Sequence, residues 1–239
     1  MIVYGMIPAR SGSKGLPDKN IREIKGHPLL AHAVAFGKKL PIDRVFVSTD
    51  SEKYRSIAVE YGAECPVLRG EQASGDKAME EDIIADCAEQ YPALGIEMPD
   101  VWVWLKPTSP FRKVESVSGA LEILNTELWV DSARIVSEAD ARIQKLNHRG
   151  CLEPAFASWP YGRSKCRRTE MPKVYKPFNL EVFRHSGWQR NRSGFMGTFI
   201  KPVIDNKITG FDIDDLEDFE IARALIEHPP DCIRDYIHL

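Results

Sequence analysis

Residues 2–20 read IVYGMIPARSGSKGLPDKN. The first six form an apolar run of the right length for one buried strand. A turn follows that holds Gly12 and Gly15 together with Arg10, Lys14 and Lys19. In open α/β sheets, ligands sit outside the carboxyl ends of the strands, so the first strand-to-helix loop is the expected place for phosphates. Glycines carry no Cβ, which lets backbone N–H groups turn onto anionic oxygens. Arginine forks onto phosphate, and the lysines add countercharge. Neither G-x-x-x-x-G-K-[ST] nor G-x-G-x-x-G is present, which argues against a P-loop ATPase and a dinucleotide fold. Taken alone, the turn also fits an ordinary basic surface loop.

The chain on either side supports the first reading. PLLAHAVAFGKKL predicts a helix with Pro28 near its first turn. RVFVSTD reads as a second strand, followed by a helix over about Ser51 to Tyr61 that stops at Gly62. MEEDIIADCAEQY is helical, with Ile83, Ile84 and Cys87 at core-facing spacing. DVWVWL is a third strand and VESVSGALEIL another helix. This alternation predicts βαβ units on a largely parallel sheet flanked by helices, an α/β fold of Rossmann-like type. SARIVS, from Ser132, reads as a strand. The stretch from about 140 to 178 is irregular and rich in Pro, Gly and Arg, as expected of a functional insertion in one 239-residue domain. It carries Arg163, Lys165, Arg167 and Arg168. FNLEVF and then KITGFDIDD are expected to be strands, the latter leading into a helix over about Leu216 to Glu227.

A net charge of −3 provides no basic field for general nucleic-acid binding. No apolar run approaches the ~20 residues of a bilayer span. MIVYGMIPAR lacks the basic and long apolar regions of a signal peptide, so a cytoplasmic protein without a membrane partner is expected. The five cysteines are scattered and none forms C-x-x-C, which argues against zinc and disulfides. No nucleophile elbow or activated cysteine motif is present.

The remaining chemistry lies in three segments. In FDIDDLED, period-two alternation on the expected strand puts Asp212 and Asp214 on one side. Two adjacent carboxylates repel unless a cation or proton neutralises them. Oxygen-only ligands favour Mg²⁺, with Mn²⁺ as the alternative. The same acids, with Asp215 and Glu217, also fit a plain acidic helix N-terminus. KPTSPFR is a stiff turn presenting Thr108 and Ser109, either to a ligand or as a helix cap. LRGEQASGDK places Arg69, Ser74 and Asp76 in a polar loop. A phosphate cradle combined with metal carboxylates is the equipment of phosphoryl or nucleotidyl transfer.

These pieces in this order resemble the acylneuraminate cytidylyltransferase family, the CMP-sialic acid synthetases and their relatives. The carrying residues are IPARSGSKGLPDKN, DRVFVSTD, YGAECPVLR…SGD, PTSPFR, MPKVYKP and FDIDDLEDFEIA, spanning Ile7 to Ala222. The resemblance implies a nucleotide-diphosphosugar transferase fold and a homodimer whose insertion reaches into the partner. It implies CTP and an acidic 2-keto sugar as substrates, a CMP-sugar and pyrophosphate as products, and Mg²⁺ on Asp212 and Asp214. Arg10, Ser13 and Lys14 would hold the triphosphate, with Ala9, Ser11 and Gly12 completing the nucleotide loop. Lys19 would lie near the α-phosphate and Asn20 near the nucleoside. Arg69 and Asp76 match the second nucleotide and sugar loop. Lys106, Thr108 and Ser109 fall on the sugar side, and Arg168 matches an arginine that crosses the dimer interface. Two departures also fall on the sugar side. Lys106 stands where the family usually has Gln, and KPFNLEVF replaces a segment that usually reads NGAIY. They predict an acceptor other than ordinary N-acetylneuraminate. A KDO-type sugar, a phosphonate and a non-catalytic nucleotide binder are the alternatives.

Overall fold

β1 (Val3–Pro8) is the strand expected from the opening stretch, and it is buried from Val3 to Ile7. A computed structural model describes residues 1–155, 171–190 and 194–239, without the side chains of 178 and 179. After β1 come a small hairpin, β2 (Glu23–Ile24) and β3 (His27–Pro28), and then α1 (Leu29–Gly37), β4 (Arg44–Ser48) and α2 (Glu52–Glu60). The chain continues with α3 (Glu71–Ser74), α4 (Glu80–Gln90), β5 (Val101–Leu105), α5 (Val114–Thr126) and β6 (Ser132–Ala139). β7 (Gln144–Leu146), β8 (Leu152–Pro154), β9 (Val174–Arg184), α6 (His185–Arg190), β10 (Ile200–Ile204) and α7 (Leu216–Glu227) complete it.

Six strands form the central sheet in the order β10-β6-β9-β5-β1-β4. β9 alone runs antiparallel to its neighbours, so the sheet is mainly parallel as expected. Both faces of the middle strands are apolar, as a sheet covered on two sides requires. Val101, Val103 and Leu105 join the cluster under α1, α2 and α5. Trp102 and Trp104 point the other way and pack with Ile83, Ile84 and Cys87 of α4. A third cluster matters most for function. Leu16 from the opening turn, Phe111 from the proline turn, and Ile213 and Phe219 from the acidic segment and α7 share one apolar core.

The structure departs from the sequence reading in several places. Residues 207–210 form a 3-10 helix, and the chain from Phe211 to the start of α7 joins no strand ladder, so Asp212 and Asp214 do not lie on a strand. Their relation comes from that loop. The irregular 140–178 stretch contains the exposed β7–β8 hairpin, and β9 begins at Val174, earlier than FNLEVF suggested. β10, with its alternating exposed and half-buried IKPVI, was not anticipated because an edge strand with proline has a weak pattern. Arg163, Lys165, Arg167 and Arg168 lie outside the described residues.

One buried acid fastens this far edge. Asp131 accepts hydrogen bonds from the N–H groups of Thr198 at 2.8 Å and Phe199 at 3.0 Å, and it pairs with Arg190. Burial alone would raise its carboxyl, but those two N–H groups and the guanidinium hold it below the usual carboxylate range. Asp131→Ala should therefore destabilise the protein by about 2–4 kcal/mol in urea unfolding, since it strands several donors at once. Because the folded pKa is depressed, the wild-type contribution is present above the unfolded value near ~3.9. It is lost as pH falls through the folded one. A loss below 0.5 kcal/mol would contradict this role.

Candidate active site

Beyond the C-terminal ends of β1 and β5 lies a cleft whose walls include Arg10, Ser13, Lys19, Asn20, Arg69 and Lys106. The turn after β1 forms one side. Ala9 is buried, and its N–H bonds the Ser48 carbonyl at the end of β4. Gly12 adopts φ +71°, the left-handed region that favours glycine. The Ser11 N–H (2.7 Å) and Oγ (2.9 Å) both donate to the Asp50 carboxylate, which anchors the turn to the next strand. Asn20 is buried, and its side-chain amide donates to the Arg10 carbonyl at 3.0 Å. The loop is thus held by Asp50, the end of β4 and its own Asn20, with Arg10 and Lys14 at the rim.

The polar loop before α4 meets those rim cations. Asp76 approaches Lys14 at 2.8 Å and Arg10 at 3.5 Å, and the Lys14 contact chiefly holds its carboxyl below the usual range. Arg69 takes a different place. It is buried and donates to the Ser48 Oγ and carbonyl and to the Ala73 carbonyl, fixing the loop to β4 while lining the cleft. Burial pushes its guanidinium down, and the Asp50 charge opposes that.

The acidic segment closes the other side. Lys19 donates to the Ile213 carbonyl at 2.5 Å and lies 3.6 Å from the Asp214 carboxylate. Gly15 packs so close to this segment that a Cβ there would lie 2.5 Å from the Asp214 carbonyl oxygen. The Ile213 N–H bonds the Thr108 carbonyl at 2.9 Å. Buried Ser109 donates to Asp212 at 3.4 Å. The proline turn therefore supports the acids; α5 begins only at Val114 and has no side-chain cap from Thr108 or Ser109. Asp215 does act as the N-cap of α7, accepting from the Asp218 N–H at 3.0 Å. Asp212 and Asp214 share a neighbouring hollow with Ser109 and Lys176.

Asp212 and Asp214 line this hollow, and no group of three or more candidate ligands occurs among the described residues. That donor set fits Mg²⁺ or Mn²⁺, which keep several waters and take the remaining oxygens from substrate phosphate. It does not fit a closed nitrogen or sulfur site.

Sequence reasoning passed over Asp50, Arg112, Glu80 and Glu181. Arg112 is fully buried, donates to the Lys106 carbonyl and stands over the Phe36 ring. Burial lowers its guanidinium to about 9, and the Asp212 charge opposes that shift. Glu80 approaches Lys106 at 2.5 Å, and Glu181 approaches Arg134 at 3.3 Å. In sequence these are single charges on separate elements, which only the fold brings near one another. His27 bonds the Tyr61 hydroxyl, and buried His32 bonds the Ile24 carbonyl.

The chain is similar to known proteins along nearly its whole length. CMP-N,N′-diacetyllegionaminic acid synthase of Legionella pneumophila is 40% identical over 233 residues, covering 95% of this chain and 97% of that protein. N-acylneuraminate cytidylyltransferase of Escherichia coli is 31% identical over 227 residues, 93% of this chain. The match takes in 52% of that protein, so the chain spans about half of its length. The structure of CMP:2-keto-3-deoxy-manno-octonic acid synthetase, solved with CTP, superposes with a TM-score of 0.71 at 16% identity, covering 96% of this chain and 100% of that one. The sequence model of the cytidylyltransferases matches residues 4–225, which take in both sides of the cleft, and the chain belongs to that family of nucleotidyltransferases.

Proposed function

We propose that the protein transfers CMP from CTP to the anomeric hydroxyl of a sialic-acid-like, nonulosonic acidic sugar and releases pyrophosphate. The observation that carries this reading is the junction of Lys19 with the Ile213 carbonyl and Asp214, which brings the basic turn and the acidic segment to one point. The 40% identity to a CMP-N,N′-diacetyllegionaminic acid synthase over almost the whole of both chains supports the acceptor class.

The triphosphate lies along residues 9–15, where Arg10 and Lys14 exchange Asp76 for phosphate oxygens. Asn20 and Arg69 face the nucleoside. The acceptor lies toward Lys106 and Thr108. Its anomeric hydroxyl gives up its proton to solvent, and the oxygen forms a bond to the α-phosphorus as the bond from that phosphorus to the bridging oxygen of pyrophosphate breaks. Lys19 stands where it can meet the growing charge on the leaving group, stabilisation that matters most in a site shielded from water. Asp212 and Asp214 would hold a divalent cation, which supplies further countercharge to the phosphates when bound. Function as a cytoplasmic homodimer is part of the same proposal. Exposed Leu146 and Leu152 on the β7–β8 hairpin support the pairing, and a nucleoside triphosphate substrate supports the compartment.

Pyrophosphate release tests this reading. CTP, UTP, ATP and GTP are each supplied with N-acetylneuraminate, N,N′-diacetyllegionaminate, pseudaminate or 2-keto-3-deoxy-manno-octonate, with and without Mg²⁺. Release should require CTP, Mg²⁺ and a nonulosonate, with another nonulosonate faster than N-acetylneuraminate. Equal release with all four nucleotides, or release independent of metal, would contradict it.

A further inference from the structure

Lys106 and the β9 segment that holds Glu181 meet in the fold. Lys106 follows β5, and Glu181 lies on β9 opposite Trp104 in register. Arg134 of β6 is Glu181's partner on the other side. Glu80 opens α4 and covers the same face. The result is an alternating array of two cations, Lys106 and Arg134, and two acids, Glu80 and Glu181. Lys106 and Glu80 line the cleft. Glu181 lies behind them, only 5% exposed, and its Oε2 is buried without a hydrogen-bond partner, as is the Arg134 Nε.

A neutral array of this kind is poorly suited to an anionic acceptor unless one acid gives up its charge. The two acids differ in how easily they can. Burial disfavours the charge of Glu80, but the Lys106 contact outweighs it and holds the carboxyl below its usual range. Burial pushes Glu181 up to about 7, against the pull of Arg134 and then Lys106. Glu80, and Asp212 from the segment before α7, add negative field in the same direction. With Glu181 ionised, the array of two cations and two acids sums to zero. With Glu181 protonated it carries one positive charge, which matches one carboxylate.

Resting on the cytidylyl-transfer reading, we propose that Lys106 is the cation that meets the acceptor's carboxylate. Glu181 is the positioning residue behind it, and it takes up one proton from solvent at its unpartnered oxygen as the acidic sugar binds. The phosphate-side cations Arg10 and Lys14 pair with Asp76 and with no member of this array. Acceptor affinity is thereby linked to pH and CTP affinity is not linked through this group. The sign follows from linkage: binding that requires a proton weakens as pH rises above the pKa of the free group.

The test is the acceptor KM between pH 6 and 9 at saturating CTP, using whichever of the four acidic sugars is turned over. For the wild type it should be level below pH 7 and rise by up to about tenfold per pH unit above it. Glu181→Gln, always neutral, should give a level profile and bind the acceptor more tightly than wild type at pH 8. A merely structural role would not produce that gain. Lys106→Gln should raise the acceptor KM about tenfold at pH 7 and leave the CTP KM within twofold. A level wild-type profile overturns the proposal without needing any variant to fold. So does a Glu181→Gln profile parallel to wild type, or a Lys106→Gln effect confined to CTP. Pyrophosphate release with a level acceptor profile removes only this inference. No release with any acceptor removes the cytidylyl-transfer reading and this one with it.

Discussion

Asp212→Asn should lower turnover about a thousandfold with CTP and Mg²⁺, the range expected when a fixed charge at a phosphate-transfer centre is removed. Three features meet at this carboxylate. It shares a hollow with Asp214, accepts from Ser109, and is the acid whose charge opposes the desolvation of buried Arg112. The substitution keeps the shape of the side chain but halves the charge offered to a divalent cation. Arg112 also loses countercharge, so the thermal midpoint should fall by a few degrees while the protein stays folded. CTP affinity measured without metal should change little, and the gain in affinity on adding Mg²⁺ should disappear. Wild-type turnover in the variant would remove Asp212 from the site.

Gly15→Ala should cost about a hundredfold in kcat/KM for a different reason. A methyl group at this position meets the Asp214 carbonyl at 2.5 Å, and a backbone atom cannot turn aside as a flexible side chain can. Either the basic turn or the acidic segment must shift, which lengthens the Lys19 contacts to Ile213 and Asp214. Displacement of order ~1 Å at a reacting centre costs about 10²-fold. Global stability should fall by less than about 2 kcal/mol, because the loop lies at the rim of its apolar cluster. Full activity in Gly15→Ala would show that the two halves of the site need no such close approach. Asp212→Asn and Gly15→Ala thus separate charge from position.

How much of this was legible in the sequence depended on whether the signal was local. The alternation of short apolar runs with amphipathic segments gave β1, β4, β5 and the helices after them, because each element is buried on a regular period. The helix over Leu216 to Glu227 was found to the residue, since Asp215 caps it and the acids of its first turn mark its start. The basic turn was readable from two glycines and three cations. Asp212 and Asp214 were expected on one side of a strand, but no ladder holds them; Asp214 meets Lys19 in a loop whose Ile213 shares an apolar cluster with Leu16. That contact joins residues almost 200 positions apart, and no periodicity reports it. Glu181 was hidden for the same reason. In sequence it is one acid within an apolar strand; only the register of β9 against β6 and β5 shows that Arg134 and Lys106 surround it.

In the proposed reaction this cleft moves the α-phosphoryl group of CTP, with its nucleoside, onto the acceptor. The most direct measurement follows isotopic phosphorus from CTP labelled at the α or at the γ position, with Mg²⁺ and the preferred nonulosonate. With α-labelled CTP the label should appear in the sugar product, and with γ-labelled CTP it should appear in pyrophosphate. Label from the γ position in the sugar, or α-label recovered only in CMP or CDP, would contradict the account.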